Sequence, residues 1–287
     1  MSTVPNRWYL PRPFSRQPSL FLTVVISAFV LLICLALVRH GAVAGIGSHS
    51  PWLNRFDLFI ASNLASLTSR SSKLDWAMFL LAEHNLLKGA PIVFLCWAAF
   101  FEKLNLAEAA QERRAKLAAV VSLAIPAVIL GRAFAVILPF RERPFRTAGL
   151  HFQLPHGMSL GSIYTWSSFP SDHAILFLCL AVGVFFASHR LGVLAIAYVA
   201  LFIALPRLFL GIHWPTDVLA GSALGLAIAA IATIPAYRDL VWRLGVKAWQ
   251  TYPGIFAASM FILSYEITDL FDGPIAIAQM VLKHRHH

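Results

Sequence analysis

Near-continuous apolar runs of close to span length recur along this chain, over 20–38, 117–138, 191–210 and 218–236. A helix of about 20 apolar residues crosses a bilayer core, and a lipid-embedded backbone must satisfy its own polar groups. The pattern therefore predicts an all-α fold, a polytopic membrane helical bundle. Only 13% of the 287 residues are charged and 59% are hydrophobic, where a soluble domain averages about 25% charged residues. Mean hydropathy is +0.71. The length alone would suit one or two soluble domains, but no linker divides the chain and nothing repeats, so one bundle is expected.

Residues 1–18, rich in Pro, Ser and Arg, read as a cytoplasmic arm. Block 19–72 holds the first span, 20–38, and a short interfacial helix in which Phe56, Phe59, Ile60, Leu64 and Leu67 recur near helical period. Ala42-Val43-Ala44 resembles a signal-peptide cleavage site. Yet the apolar run exceeds the ~15 residues of such a peptide and Arg39-His40 intervene, which favours an uncleaved anchor. Block 73–236 is the expected core, with spans at 74–101, 117–138, 173–188, 191–210 and 218–236, six in all with the first. Glu83, His84, Asn85 and Lys88 interrupt the second span and should face protein. Pro126 should kink the third. The connections are a charged loop over 102–116, a long central loop over 139–170 and a tight turn at 189–190. Block 237–287 begins with a basic cytoplasmic loop, 237–247, followed by a candidate seventh span at 253–270 and a polar tail.

With the arm in the cytoplasm, loops 102–116, 189–190 and 237–247 lie on the same side and bring its Lys and Arg to 11 of 23. That is a modest positive-inside bias. Trp52, Trp76, Trp166 and Trp214 would form an aromatic belt at the outer face. The net charge of +10 fits cytoplasmic loops plus an anionic substrate. It does not indicate nucleic acid, because no basic stripe with interleaved aromatics is present. Cys34, Cys96 and Cys179 all sit in apolar runs and read as buried free thiols.

Three polar clusters end hydrophobic segments, all on the expected outer side. Arg207 stands within an apolar run and needs a partner or a task. His213 lies just beyond it, and Asp217 follows four residues later, a helical spacing that lets a carboxylate hold one imidazole nitrogen. The other nitrogen is left as a nucleophile. In Pro170-Ser171-Asp172-His173, Ser171 or Asp172 can cap the fourth span, so that backbone N–H groups face an anion. His173 is placed to give a proton to a leaving oxygen. Arg141-Glu142-Arg143-Pro144 supplies charge, since a guanidinium matches phosphate oxygens at two points. Arg132 is a further cation inside the third span. Taken singly, each cluster also reads as solvated or snorkelling residues at an interface.

Together the clusters resemble the type-2 phosphatidate phosphatase superfamily, which includes lipid phosphate phosphatases and vanadium haloperoxidases. Its signature is K-x6-R-P, then P-S-G-H, then S-R-x5-H-x3-D. Arg143-Pro144, Pro170-Ser171-Asp172-His173 and Arg207-x5-His213-x3-Asp217 match in order, over about residues 75–236. Val136 stands where the family has lysine, with Arg132 or Arg141 as candidate substitutes. Asp172 replaces the glycine, a variant that resembles the bacterial undecaprenyl-diphosphate phosphatase branch. Pro206 replaces the serine.

The resemblance implies that His213 attacks phosphorus to give a phosphohistidine, Asp217 orients it and His173 protonates the departing oxygen. Arg143, Arg207, Ser171 and the backbone at Asp172 would hold the phosphoryl oxygens, with no metal and no cofactor. The expectation is a membrane lipid phosphatase of the bacterial inner membrane with its site facing the periplasm or exterior. It would take bilayer lipids and a lipid phosphate, undecaprenyl diphosphate first. Phosphatidate or phosphatidylglycerol phosphate hydrolysis, or lipid phosphotransfer, uses the same chemistry. An anion transporter or an inactive scaffold is the reading from outside enzymology. Glu83, His84, Asn85 and Lys88 could supply the missing cation, line a route, or satisfy one another between helices. Oligomeric state is not legible.

Overall fold

The structure, a computed structural model, describes residues 51–103, 106–147, 149–153, 166–275 and 277. The expected arm at 1–18, first span at 20–38 and tail at 283–287 lie outside the described residues. Among those described there is no strand, and the all-α expectation holds. The helices are α1 (Pro51–Ala65), α2 (Ser72–Glu83), α3 (Asn85–Lys88), α4 (Ala90–Phe101), α5 (Ala107–Ser122), α6 (Ala124–Ile137), α7 (Asp172–Ala187), α8 (His189–Tyr198), α9 (Leu205–Phe209), α10 (Pro215–Ile231), α11 (Pro235–Thr251) and α12 (Pro253–Thr268).

Helix α7 is the axis. From Ala174 to Val184 all but one of its residues are buried, against α4, α5, α6, α8 and α10. A helix apolar on every side has no solvent face, so its neighbours must surround it. They approach through glycine. A Cβ at Gly221 of α10 would lie 2.5 Å from the Ser171 carbonyl oxygen, and one at Gly225 would lie 2.5 Å from that of Ile175. Gly183 of α7 meets Val120 of α5 in the same way. Small residues at such seams let helices pack closely where lipid supplies no hydrophobic drive between them.

Proline sets most of the breaks. Pro126 cannot donate to the Ser122 carbonyl, and the helical run 107–137 is interrupted at Leu123 rather than at Pro126 itself. Pro206 cannot donate to Phe202, and the backbone opens into a π-helical turn over Val199–Ala204 before α9. Pro235 starts α11 after a 73° bend from α10.

Three expectations are corrected. The run 74–101 is not one continuous helix: His84 takes an extended conformation after α2, and α3 ends at Gly89 before α4. Pro91 near the start of α4 lacks the N–H that would continue the helix from Leu87. The loop 102–116 is helical from Ala107, with its charges paired as Arg113–Glu102 and Lys116–Glu112. The basic loop 237–247 is part of α11, a helix with polar and apolar faces.

By length and composition, two helical stretches can cross a membrane, Ala107–Ile137 and His189–Phe209, or three if the bent α10–α11 pair is one span. Helices α4, α7 and α12 are apolar but shorter, so the described helices do not by themselves reach the expected count of six. The outer surface is nonetheless apolar, with Phe94, Ile129, Ile137 and Phe261 exposed.

The glycine seam carries a test. Gly225→Val must push α7 away from α10 and is expected to cost about 1–3 kcal/mol or more as overpacking, read as a lower midpoint of thermal unfolding in detergent. Gly245→Val, where nothing lies within 4 Å, should leave that midpoint in place.

Candidate active site

The end of the α8–α9 rod and the start of α10 form one tight corner. Leu210 and Ile212 donate back to the carbonyls of Pro206 and Arg207, at 3.0 and 2.9 Å. Gly211 has φ +67, a conformation that side-chain-bearing residues rarely adopt. Its carbonyl accepts the Phe145 N–H at 3.0 Å. Pro215 then opens α10. His213 is held between these fixed points and is only 5% exposed.

Its Nδ1 lies 2.7 Å from the Ser168 carbonyl oxygen. A carbonyl only accepts, so Nδ1 carries the proton and Nε2 keeps its lone pair. Asp217 Oδ2 stands farther off, 3.7 Å from Nδ1, and its close contacts are elsewhere. Oδ2 accepts the Trp214 N–H at 2.8 Å, which closes the first turn of α10. Oδ1 receives Arg141 Nη1 at 2.5 Å. Burial lowers the pKa of His213 below its ordinary 6.5; the nearby Asp217 carboxylate works the other way, and the charge of Arg143 adds to the lowering.

Arg141 joins two buried carboxylates. Its Nη1 also reaches Thr216 Oγ1 at 2.7 Å, and its Nη2 lies 2.6 Å from Asp57 Oδ2. Asp57, on α1, accepts in turn from the Thr216 N–H at 3.1 Å and the Thr216 hydroxyl at 2.7 Å. Burial opposes the guanidinium charge, but Asp217 and Asp57 outweigh it and the pKa rises above its ordinary value. Arg141 is thus a brace behind His213, and the expectation that it faces an anion in place of the family lysine does not match this geometry. Arg132 is also turned elsewhere. It pairs with Asp272 and approaches the Leu270 carbonyl beyond α12, with Trp166 beneath it.

Arg143 and Arg207 do converge on this corner. Arg143 is buried and donates to the Ile212 carbonyl at 2.8 Å. Arg207, 3% exposed, donates to the carbonyls of Ile203 at 3.1 Å and Ala82 at 3.0 Å. Both are attracted by Asp172 and repel one another.

The 170–173 segment enters from the far side of the glycine seam. Ser171 donates its N–H to the Asp217 carbonyl at 3.2 Å, and its Oγ caps α7 through Ala174 N–H at 3.4 Å. Asp172 Oδ1 accepts both the backbone N–H and Nδ1 of His173, each at 2.8 Å. The Nε2 of His173 is buried without a hydrogen-bond partner. Each histidine is therefore anchored at Nδ1, with its Nε2 left over. Among the described residues no His, Cys, Asp and Glu group of three or more is arranged to hold a metal.

Sequence reasoning missed Asp57, Thr216 and Ser168. Ser168 acts through its main chain, which no side-chain pattern reveals. Asp57 had a faint signal: Asp57, Ala61 and Ala65 recur every four residues as a narrow small-residue stripe, buried, while Phe56 and Phe59 face outward. The interfacial-helix reading followed the phenylalanines instead.

Removing the brace leaves two buried carboxylates facing each other. Arg141→Met is expected to cost about 3–5 kcal/mol, seen as a lowered unfolding midpoint, and adding Asp57→Asn should recover part of it. An Arg141→Met protein as stable as the parent would remove the brace from the account.

With this geometry in place, comparison with known proteins is informative. Residues 115–239, from the second half of α5 into α11, match the PAP2 superfamily. The chain is 24% identical over 194 residues to undecaprenyl-diphosphatase BcrC of Bacillus subtilis (strain 168), covering 66% of this chain and 90% of that one. It is 27% identical over 203 residues to YbjG of Escherichia coli (strain K12), 70% of this chain and 80% of that one. With the bacitracin transport permease protein BcrC of Bacillus licheniformis it shares 29% identity over 158 residues, 55% and 70% of the two chains. No solved structure matches it. Over residues 115–239 the chain is similar to the PAP2 superfamily, and it is a phosphatase-type hydrolase resembling the undecaprenyl-diphosphatase branch.

Proposed function

We propose that this protein hydrolyses undecaprenyl diphosphate to undecaprenyl phosphate and inorganic phosphate, from the outer side of the bacterial inner membrane. The observation that carries the reading is the pair of histidines, each tethered at Nδ1, beside the buried guanidinium groups of Arg143 and Arg207. In this reading the Nε2 lone pair of His213 attacks the terminal phosphorus. An N–P bond forms as the bridging P–O bond breaks. His173, held at Nδ1 by Asp172, must carry a proton at Nε2 for this step and gives it to the departing oxygen of undecaprenyl phosphate. Neutral His173 then takes a proton from water as that water attacks phosphorus, and the N–P bond breaks to release phosphate.

Each remaining residue has a physical task. Arg143 and Arg207 stabilise charge as it spreads over the phosphoryl oxygens, where fixed dipoles and cations act without reorganising. The Ser171 hydroxyl and the backbone N–H of Asp172 add donors at the N-terminus of α7. Asp217 acts on His213 at a distance, and more directly by fixing Trp214 and Arg141 around it. Six core spans with the candidate seventh would put the three clusters at one membrane face. The apolar flank then admits a prenyl tail sideways from the bilayer.

The test is phosphate release in detergent from undecaprenyl diphosphate, phosphatidate and phosphatidylglycerol phosphate. The diphosphate should be the preferred substrate; preference for phosphatidate would overturn the substrate assignment. His173→Ala should slow turnover by about 100- to 10,000-fold, the range for a general acid. His213→Ala should abolish the phosphoenzyme trapped by alkaline quench. Because burial lowers the pKa of His213, the nucleophile stays neutral until pH falls below 6.5. The acid limb of kcat/KM should therefore inflect below that value. An inflection above it would count against His213 as the attacking base.

A further inference from the structure

We propose that Lys88, outside all three sequence clusters, is a third cation of the phosphoryl site, binding the substrate phosphate between Arg207 and the free Nε2 of His173. This deepens the hydrolase reading above and rests on it. Lysine is almost never buried without a partner. Lys88 is 7% exposed, and its ammonium makes no hydrogen bond or ion pair with a described residue. The strongest charge acting on it is the like charge of Arg207; Glu83, Asp272 and Asp269 attract it more weakly. Two of those carboxylates are engaged elsewhere, Asp272 by Arg132 and Asp269 by the Asn85 side chain.

A second, independent observation points to the same space. His173 feels both Arg207 and Lys88, and its Nε2 is a buried polar atom with no partner. Two buried cations and an imidazole whose Nε2 becomes a donor without an acceptor once protonated, contributed by three separate helices, lack one thing in common, an anion. Arg207 spends two donors on carbonyls of the five that a guanidinium offers, so it can hold such an anion too.

The broken second span explains how a lysine arrives there. Because the helix stops at His84 and again at Gly89, α3 is a separate four-residue turn. It exposes Leu86 and Leu87 to the apolar exterior and sends Lys88 inward. A Cβ at Gly89 would lie 2.5 Å from Thr268 Cα, so α12 presses the turn into place. Val136, where the family pattern has lysine, is 71% exposed on the far side of α6. Arg132 and Arg141 are both committed to carboxylates. Lys88 is not.

The experiment uses the full-length protein in detergent with Lys88→Met and Lys88→Arg beside the parent. Three quantities are read: phosphate release from undecaprenyl diphosphate, inhibition by inorganic phosphate, and the unfolding midpoint with and without inorganic phosphate. Lys88→Met should weaken phosphate inhibition and raise KM by about 10- to 100-fold, the span for losing one charged hydrogen bond. It should melt no lower than the parent, since a repulsion has been removed, and should lose the stabilisation by phosphate. Lys88→Arg should restore phosphate binding. Lys88→Met with a lowered midpoint or no monodisperse protein, or with unchanged KM and phosphate inhibition, would make Lys88 a structural counter-ion and overturn the proposal. A parent that releases no phosphate from any lipid phosphate would instead overturn the hydrolase reading, while the phosphate-dependent midpoint still reports on Lys88.

Discussion

The close approach of α7 and α10 is the constraint on which the rest depends. Gly221 and Gly225 bring the two backbones together until a methyl group would collide with the carbonyls of Ser171 and Ile175. That seam lets Ser171 donate its N–H to the Asp217 carbonyl, locking the first turns of both helices to each other. The 170–173 segment and the 213–217 segment are about forty residues apart in sequence, yet they become one rigid corner. Without the seam the two histidines would belong to separate helix ends.

Charge is organised around that corner in two layers. Behind His213, Arg141 is saturated by Asp57 and Asp217. A guanidinium between two carboxylates in a buried place costs desolvation, and the geometry must be good to offset it; here Thr216 and Trp214 complete the contacts. In front, Arg143 and Arg207 are bound to carbonyls and lean toward Asp172. Carbonyls orient a cation without neutralising it. The rear layer is therefore electrically closed, and in the front layer Arg207, held by the carbonyls of Ile203 and Ala82, keeps positive charge available for an anion.

Sequence position alone does not show this division among the arginines. Arg141 and Arg143 are two residues apart in one extended segment, where alternate residues can face the same side, so Arg143 fits the family motif while Arg141 remains a candidate substitute for the missing lysine. Only the fold separates them: Arg141 meets α1 and α10, whereas Arg143 meets the corner before His213. The same holds for Arg132, which lies on an apolar helix near the clusters yet is drawn to Asp272 beyond α12. Asp272 and Asp57 sit far outside the 115–239 stretch that carries the family likeness, so the flanking helices help to fix the charges at the site.

The sequence by itself determined the helical class, the apolar exterior, the order of the three clusters, and the capping role of Ser171. Those follow from local rules: span-length apolar runs, proline and glycine punctuation, and the spacing of His213 and Asp217. Tertiary structure decided which cation faces which anion, that Ser168 rather than Asp217 is the near partner of His213, and that 74–101 breaks so that Lys88 turns inward. Charge pairing and main-chain acceptors depend on atoms brought together across the chain, and a linear pattern holds no distance between them.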